Sequence, residues 1–300
     1  MNEFRSEHPS TYVVQDRSNQ DELIRLHVQD QMLTASQGGV LPEQPDPRQF
    51  ERVLDVGCGT GGWLIEAART YPTMKRLVGV DASLTLIEYA RAQAAAAQVQ
   101  DRVEFSVMDA LRMLEFPAGF FDLVNQRLGM SWLRTWDWPK LLHEYQRVVR
   151  VGGVVRLVES GAIETTSPAL ARFADLVLFA MHRAGHLFAP DWTGVTGQLV
   201  RLLRQYGFQQ VQTHEAALEY RAGSPGWQEY MEDVQHALRT LRLFIEKWTH
   251  VPSDYEALCS HVESELRLPD FVATLHVLTA WGTRQPQPDE PATALWADRY

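Results

Sequence analysis

The stretch VLDVGCGTGGW, residues 53–63, decides the fold of this chain of 300 residues. A short apolar run that contains Asp55 is followed by glycines at positions 57, 59 and 61, and then by an amphipathic run. Glycines let the backbone turn tightly and approach a ligand without interference from a Cβ atom. The first turn of the following helix presents free N–H groups, which suit a carboxylate or a phosphate. The stretch therefore predicts a strand, a ligand-binding turn and a helix.

The glycine spacing does not identify the ligand, because Gly57, Gly59 and Gly62 also fit the G-x-G-x-x-G pattern of dinucleotide-binding proteins. The acids that end the predicted strands favour one ligand. Asp81 ends the second strand, where a carboxylate accepts hydrogen bonds from ribose hydroxyls. Asp109 ends the third strand, where it can accept a hydrogen bond from an adenine amino group. Acids at three strand ends suit a ligand with a cationic centre and no phosphates, which describes S-adenosylmethionine better than NAD.

Outward from this stretch, short apolar runs alternate with longer amphipathic runs, which is typical of a parallel sheet covered by helices. Strands are predicted at residues 52–56, 76–80, 102–108, 120–126, 153–159 and 208–220. Residues 271–281 are either a further helix or a seventh strand, which their β-forming residues favour. Helices are predicted at residues 63–71, 83–98, 138–150, 168–187, 195–206, 227–248 and 254–266. An apolar stripe from Leu23 to Leu33 predicts a further helix that ends near Gly38. The predicted fold class is α/β.

In their order and spacing, these motifs resemble the class I S-adenosylmethionine-dependent methyltransferases of the small-molecule type. The resemblance covers about residues 50–220 and rests on VLDVGCGTG, VGVDAS, VEFSVMDA, FDLVNQR, the segment 148–159 and YGFQQV. The early helix and the segment SWLRTWDW also resemble members that act in secondary metabolism. The family implies a Rossmann-like, doubly wound sheet of seven strands, with the last strand antiparallel and with helical cap insertions. It also implies S-adenosyl-L-methionine as cofactor and S-adenosyl-L-homocysteine as product.

The resemblance implies a set of cofactor-binding residues. The set is Asp55, Gly57, Cys58, Gly59, Gly61, Asp81, Ala82, Met108, Asp109, Ala110, Asn125 and Gln126. In this interpretation Asp55 and the glycines surround the methionine part, Asp81 binds the ribose and Asp109 lies at the adenine. The alternatives are that Asp55 only braces the turn and that Met108 belongs to the core.

Methyl transfer displaces a sulfonium leaving group in line, so alignment and desolvation are the main requirements and a base is optional. Glu159 is the first candidate base, because it ends the fifth strand toward the cofactor side. His182 and His186, spaced four apart in a predicted helix, are the other catalytic candidates. No third ligand accompanies them at a recognisable spacing, so no metal site is predicted.

Four residues are predicted to contact the acceptor: Tyr12, Arg127, Met181 and Trp192. Arg127 is predicted either to hold a substrate carboxylate or to close the strand end with a salt bridge. Residues 160–200 and 221–268 are rich in aromatic residues and methionine, beyond what a minimal core needs. With the N-terminal helix, they predict a lid over a mostly apolar pocket. The alternative is that these side chains pack helix against sheet.

These features predict the organisation of the chain. Residues 1–47 form an arm and a lid helix, and residues 48–220 form the cofactor-binding core, with a cap insertion at about 160–200. A helical insertion at 221–268 precedes the last strand at 269–285, and residues 286–300 form a tail.

Composition narrows the partners that are expected. With 28 basic and 38 acidic residues, the net charge is −10, which opposes binding to nucleic acid or to an anionic membrane. Two cysteines and the lack of an apolar signal-peptide core favour a cytoplasmic location. The expected partner is a small-molecule acceptor, and the oligomeric state is left open, with a homodimer among the options.

The sequence thus predicts an enzyme that methylates an oxygen, nitrogen or carbon atom of a small apolar or aromatic metabolite. Three alternatives stay open at this point. They are a regulatory or non-methylating protein on the same fold, a methyltransferase that acts on RNA or protein, and an NAD-dependent oxidoreductase.

Overall fold

The computed structural model describes residues 12–14 and 20–286, and seven strands within these residues form one sheet. In chain order they are β1 (Arg52–Val56), β2 (Arg76–Asp81), β3 (Val103–Val107), β4 (Phe121–Arg127), β5 (Val149–Thr165), β6 (Phe208–Arg221) and β7 (Val272–Arg284). The sheet order is β3-β2-β1-β4-β5-β7-β6, and β7 is antiparallel to both β5 and β6. The prediction of a Rossmann-like α/β sheet with an antiparallel last strand is confirmed.

The central strands are buried on both faces, which explains their nearly continuous apolar sequences. Because successive side chains point to opposite faces, Val53 of β1 packs with helices on one side and Leu54 with helices on the other. The same alternation holds for Leu77 and Val78 in β2. The sheet is therefore wound on both sides.

The helices are α1 (Gln20–Ser36), α2 (Gly62–Thr70), α3 (Leu84–Ala96), α4 (Trp138–Val148), α5 (Pro168–Arg183), α6 (Leu199–Gln205), α7 (Trp227–Thr240), α8 (Arg242–Trp248) and α9 (Tyr255–Glu265). Some predicted boundaries were wrong. The helix predicted at 168–187 ends at Arg183, because Gly185 takes a left-handed conformation with φ +85°. The helix predicted at 227–248 is divided at Leu241 into α7 and α8. The helix predicted at 138–150 ends at Val148, where β5 begins.

The elements outside the central strands position the site. α1 packs against α7 and α2, and α5 follows β5 and packs against α8 and α9. The short described segment before α1 is attached to the loop after β4, because the Val13 amide donates a hydrogen bond to the Ser131 carbonyl at 2.8 Å. Most of the predicted arm and tail lies outside the described residues. None of the helices in the described part combines the length and the apolar character needed to cross a bilayer.

Candidate active site

A cavity of about 1230 Å³ lies at the carboxyl ends of the parallel strands. Its lining includes Gly57 after β1, Asp81 at the end of β2, Met108 after β3 and Arg127 at the end of β4. Side chains from α1, α5 and α7 complete the lining. Ligands of open α/β sheets bind at this edge, so the position of the cavity agrees with a ligand site.

The glycine turn takes the backbone shape that its sequence predicted. Gly57, Gly59 and Gly61 all have positive φ angles, of 70°, 54° and 77°. Gly57 and Gly59 line the cavity, as does Cys58 between them. Gly61 does not, because it packs against the sheet: a Cβ atom there would lie 2.5 Å from the Phe105 ring. Gly61 thus shapes the turn from outside the lining, and its contact with the cofactor stays a prediction.

Asp81 links the glycine turn to the start of α3. Its Oδ2 accepts a hydrogen bond from the Gly59 amide at 3.2 Å, and its Oδ1 accepts one from the Ser83 amide at 2.8 Å. Each carboxylate oxygen has two lone pairs, so both can accept further hydrogen bonds from a ligand. Asp81 faces the cavity, and so do four other residues of the predicted cofactor set: Ala82, Met108, Asp109 and Ala110.

Asp55 and Asn125 lie behind the turn in a buried chain of polar side chains. The Asn125 amide donates to Asp55 Oδ1 at 2.8 Å, and the Arg156 guanidinium donates to Asn125 Oδ1 at 2.9 Å. Arg156 also pairs with Glu43 at 2.8 Å. Burial raises the pKa of Asp55 to about 7, against the opposing effects of Arg127 and Asn125. Both residues are enclosed and brace the turn, which agrees with the alternative predicted for Asp55, and their contact with the cofactor stays a prediction.

Glu159 and Gln126 belong to a second buried chain. The Tyr145 hydroxyl donates to Gln126 Oε1 at 2.7 Å, and the Gln126 amide donates to Glu159 Oε1 at 3.3 Å. The Met130 amide donates to Glu159 Oε2 at 3.1 Å. Burial raises the pKa of Glu159 to about 8. The Glu159 side chain has no exposed surface, and neither Glu159 nor Gln126 lines the cavity, so their roles as base and as cofactor contact stay predictions that this arrangement does not favour. These hydrogen bonds hold the turn after β4 in place.

The two predicted catalytic histidines do not share a helical face. α5 ends at Arg183, so His186 lies beyond the helix that was expected to carry it. His186 is fully buried, its Nδ1 lies 2.8 Å from the Leu133 carbonyl oxygen, and burial lowers its pKa to about 4. His182 follows Met181 on α5, about 100° further around the helix, and is not among the residues that line the cavity. No histidine is among the described residues that line the cavity.

Arg127 forms the salt bridge that was one of its two predicted roles, and it also lines the cavity. Its guanidinium pairs with Asp30 of α1, donates to Thr34 Oγ1 at 3.3 Å and lies 5.9 Å from the centre of the Trp63 ring. The Asp30 carboxylate lies against Gly62, in the first turn of α2. The Asp30 carboxylate and the Arg127 guanidinium therefore lie together beside the glycine turn.

Sequence reasoning missed a charged group on the lid helices. Arg25 of α1 pairs with Glu22 at 2.7 Å and with Asp233 of α7 at 3.2 Å, and the Tyr12 hydroxyl donates to Glu22 at 2.5 Å. All four residues line the cavity. The spacing of three between Glu22 and Arg25 is a helical ion-pair signal, whereas no local pattern indicates Asp233.

The predicted acceptor contacts Tyr12, Arg127, Met181 and Trp192 all lie on the lining of this one cavity. The lining as a whole contains six acidic and four basic side chains. The excess of acid, in a partly enclosed space, favours a ligand that carries positive charge.

Comparison with known proteins agrees with this architecture. Residues 53–153 match the model of a family described as a methyltransferase domain. A demethylmenaquinone methyltransferase of Symbiobacterium thermophilum is 30% identical over 164 residues, which are 54% of this chain and 60% of that protein. An ajmaline N-methyltransferase of Rauvolfia serpentina is 33% identical over 114 residues, which are 38% of this chain and 37% of that one. The chain thus spans less than two thirds of the length of these relatives.

Two solved structures share the fold. Phosphoethanolamine N-methyltransferase 2 of Haemonchus contortus, in complex with S-adenosyl-L-methionine, has a TM-score of 0.56 at 20% identity and covers 94% of this chain and 62% of that chain. The [4+2]-cyclase SpnF has a TM-score of 0.52 at 17% identity and covers 94% of this chain and 100% of that chain. At such identities the likeness shows the fold alone.

Residues 53–153 thus resemble a methyltransferase domain, and the curated relatives are named as methyltransferases, in agreement with the motifs of the sequence. The fold by itself does not select the reaction or the acceptor, because one structural neighbour is named as a methyltransferase and the other as a cyclase.

Proposed function

We propose that this protein transfers a methyl group from S-adenosyl-L-methionine to a small molecule with an apolar body. One observation carries the proposal: a single cavity is lined both by the glycine turn with Asp81 and by apolar side chains of the lid helices, such as Phe173 and Val177 of α5. A methyl donor and an acceptor can therefore lie in contact, shielded from water.

The residues present fit the methyl donor. The left-handed glycines leave the turn open to close approach, and Asp81 faces the cavity with acceptor capacity for the ribose hydroxyls. Met108, Asp109 and Ala110 would hold the adenine. The excess of acid in the lining is complementary to a sulfonium.

The pair formed by Asp30 and Arg127 is suited to the amino-acid end of the donor. That end is a zwitterion, so its ammonium matches the Asp30 carboxylate and its carboxylate matches the Arg127 guanidinium. A ligand inserted between the two would replace one ion pair by two. Because Asp30 lies on α1, this binding would also attach the lid helix to the donor.

When bound, the donor supplies a methyl group on a positively charged sulfur, so the protein needs chiefly to position and desolvate the acceptor. The lining from α1, α5 and α7 would surround part of the acceptor and remove part of its contact with water. Alignment of this kind contributes effective molarities of about 10⁵ M or more. The curated relatives are named for small acceptors, demethylmenaquinone and ajmaline, which supports an acceptor of comparable size.

The test begins with binding. We expect calorimetry to detect S-adenosylmethionine and S-adenosylhomocysteine binding to the wild-type chain. Asp81→Ala should weaken both about 100-fold, since hydrogen bonds to a charged group contribute about 1.5–3 kcal/mol each. Asp101→Ala, at an exposed acid outside the cavity, is the matched control and should leave both affinities unchanged. Unaltered binding by Asp81→Ala would overturn the proposed donor site.

Transfer of label from methyl-labelled S-adenosylmethionine to a metabolite extract then separates an enzyme from a regulatory protein of the same fold. We expect labelled small molecules that disappear with Asp81→Ala. Binding of the donor without any transfer would favour the regulatory alternative, and label found in protein or RNA would favour a macromolecular acceptor.

A further inference from the structure

The charged group of Tyr12, Glu22, Arg25 and Asp233 lies on the lining of the cavity, although the proposed donor site does not use it. It connects the segment before α1, the helix α1 itself and the helix α7. A set of charges in an otherwise largely apolar lining is costly unless the charges are paired, so its composition restricts the ligand.

Glu22 and Arg25 neutralise each other. Arg25 donates through Nε to Glu22 Oε2 at 2.8 Å and through Nη2 to Glu22 Oε1 at 2.7 Å, which is a bidentate pair. Burial raises the pKa of Tyr12, so its hydroxyl keeps its proton and donates to Glu22. Both carboxylate oxygens of Glu22 are thus occupied by donors from within the group.

Asp233 is the second carboxylate that Arg25 contacts. Its Oδ1 accepts from Arg25 Nη1 at 3.2 Å, a longer contact than those of Glu22, and a hydrogen bond from the Gln29 side chain also favours its charged form. The group therefore has two carboxylates and one guanidinium, and Glu22 already matches the charge of the guanidinium. Burial raises the pKa of Asp233, which means that its surroundings disfavour the charged form as they stand. A cation supplied by a ligand would relieve this cost.

Apolar surface begins directly beside Asp233. Tyr230, Asp233 and Ala237 are spaced three and four residues apart on α7, so they share one face of the helix, and all three line the cavity. Phe173, Val177 and Met181 of α5 extend the apolar lining. A ligand that follows this surface would place its polar group at Asp233 and its hydrocarbon along α7 and α5.

We propose that the methyl acceptor is an apolar amine that binds as an ammonium ion paired with Asp233. The ammonium passes one proton to the Asp233 carboxylate, and the freed nitrogen lone pair then forms the bond to the methyl carbon while the bond from that carbon to sulfur breaks and S-adenosylhomocysteine leaves. This inference rests on the proposed function, since it assigns the acceptor class of the same cavity. Asp233 distinguishes an amine from a phenol or an alcohol of the same shape, because only the amine brings the positive charge that the group lacks.

The test compares two probes with the same carbon skeleton, 1-naphthylmethylamine and 1-naphthalenemethanol. Both are titrated calorimetrically at pH 7 into the wild-type chain saturated with S-adenosylhomocysteine. We expect the amine to bind at least about 10-fold more tightly than the alcohol. Asp233→Asn should abolish this preference and leave the affinity for S-adenosylhomocysteine unchanged. Glu232→Gln makes the same change at the neighbouring α7 residue, outside the cavity, and should keep the preference.

Equal affinity of the two probes for the wild-type chain, or no amine binding at millimolar concentration, would overturn the inference without any variant. Equal weakening of the amine and of S-adenosylhomocysteine by Asp233→Asn would also overturn it, because Asp233 would then serve the donor or the fold. If the wild-type chain does not bind S-adenosylhomocysteine at all, the proposed function itself fails, which is a distinguishable result.

Discussion

The two ends of the cavity are built in different ways. At the end proposed for the donor, the backbone of the glycine turn forms part of the lining, and the Gly59 amide donates to Asp81 across 22 positions. At the acceptor end, side chains from distant elements meet, as when Arg25 of α1 pairs with Asp233 of α7 across 208 positions.

This difference separates two kinds of constraint. The donor end depends on backbone conformations that few residues can adopt, so substitution there changes the fold of the turn itself. The acceptor end depends on side chains carried by helices outside the central strands, so substitution there changes the ligand more than the fold. The same fold can therefore bind the same methyl donor while different side chains on the helices bind different acceptors.

Gly61→Ala should give the largest effect and tests the first constraint. The Cβ atom would lie 2.5 Å from the Phe105 ring, at a φ of +77° that disfavours alanine. Left-handed strain of about 1–2 kcal/mol and overpacking of about 1–3 kcal/mol together predict a loss of about 3 kcal/mol in the free energy of unfolding. Urea denaturation measures this loss.

Gly223→Ala is the matched control, because Gly223 has a φ of +79° and no neighbour within 4 Å of the added Cβ atom. The free energy of unfolding of this variant should fall by only about 1 kcal/mol, which is the cost of the left-handed backbone strain. Equal destabilisation by the two variants would show that close packing of the turn on the sheet contributes nothing, and the contrast between the two ends would weaken.

The same contrast explains how much of the molecule the sequence predicted. The strands and the glycine turn follow from local patterns, and the structure has them where they were expected. Asp55 and Asp81 were both assigned to the ligand because both lie at strand ends, yet only Asp81 faces the cavity. The difference is the direction of a side chain, which depends on the packing of the strand and not on the residue type.

For a related reason, the structure does not bring the three catalytic candidates to the lining of the cavity. The pairing of His182 with His186 assumed that α5 continues through both residues. The left-handed Gly185 ends the helix between them, so the two side chains do not lie on one helical face. Glu159 was taken as a base because it lies on the strand edge nearest the cofactor, whereas Gln126 and Met130 enclose it. Asp233 could not be found from the sequence, because its partner comes from the other end of the chain.

Trp192→Ala tests the second constraint and should have a smaller effect. Trp192 lines the cavity, and the loss of an apolar wall of this kind typically costs about 1–3 kcal/mol of ligand binding. We expect the KM for an acceptor that the wild-type chain methylates to rise about 10-fold, with unchanged affinity for S-adenosylhomocysteine. Trp136→Ala removes an exposed tryptophan outside the cavity and should change neither quantity. Equal effects on acceptor and donor would mean that the two ends are not separable.

Glu159→Gln should have the smallest effect on activity, because Glu159 is enclosed and does not line the cavity. The pKa of Glu159 is raised to about 8 in the folded chain, whereas an unfolded glutamate titrates near about 4.3. Between these values the folded chain binds more protons than the unfolded chain. The stability that the protonated carboxyl contributes is therefore complete below about pH 4 and is lost as the pH rises through about 8. Glutamine does not titrate, so the variant should lose less stability between pH 5 and pH 9, by up to about 4 kcal/mol, because each pKa unit corresponds to about 1.4 kcal/mol.

The activity of Glu159→Gln decides between a base and a support for the turn. A general base contributes about 10²–10⁴-fold to the rate, so its removal would be unmistakable. Because Glu159 is enclosed and accepts hydrogen bonds from Gln126 and Met130, we expect kcat to stay within about 3-fold of the wild-type value while the pH dependence of unfolding changes. Glu215→Gln, at an exposed strand residue, controls for the lost charge and should change neither property. A 100-fold loss of kcat by Glu159→Gln alone would require the loop after β4 to open and bring Glu159 to the acceptor, and the enclosed carboxylate would then be only one state of the site.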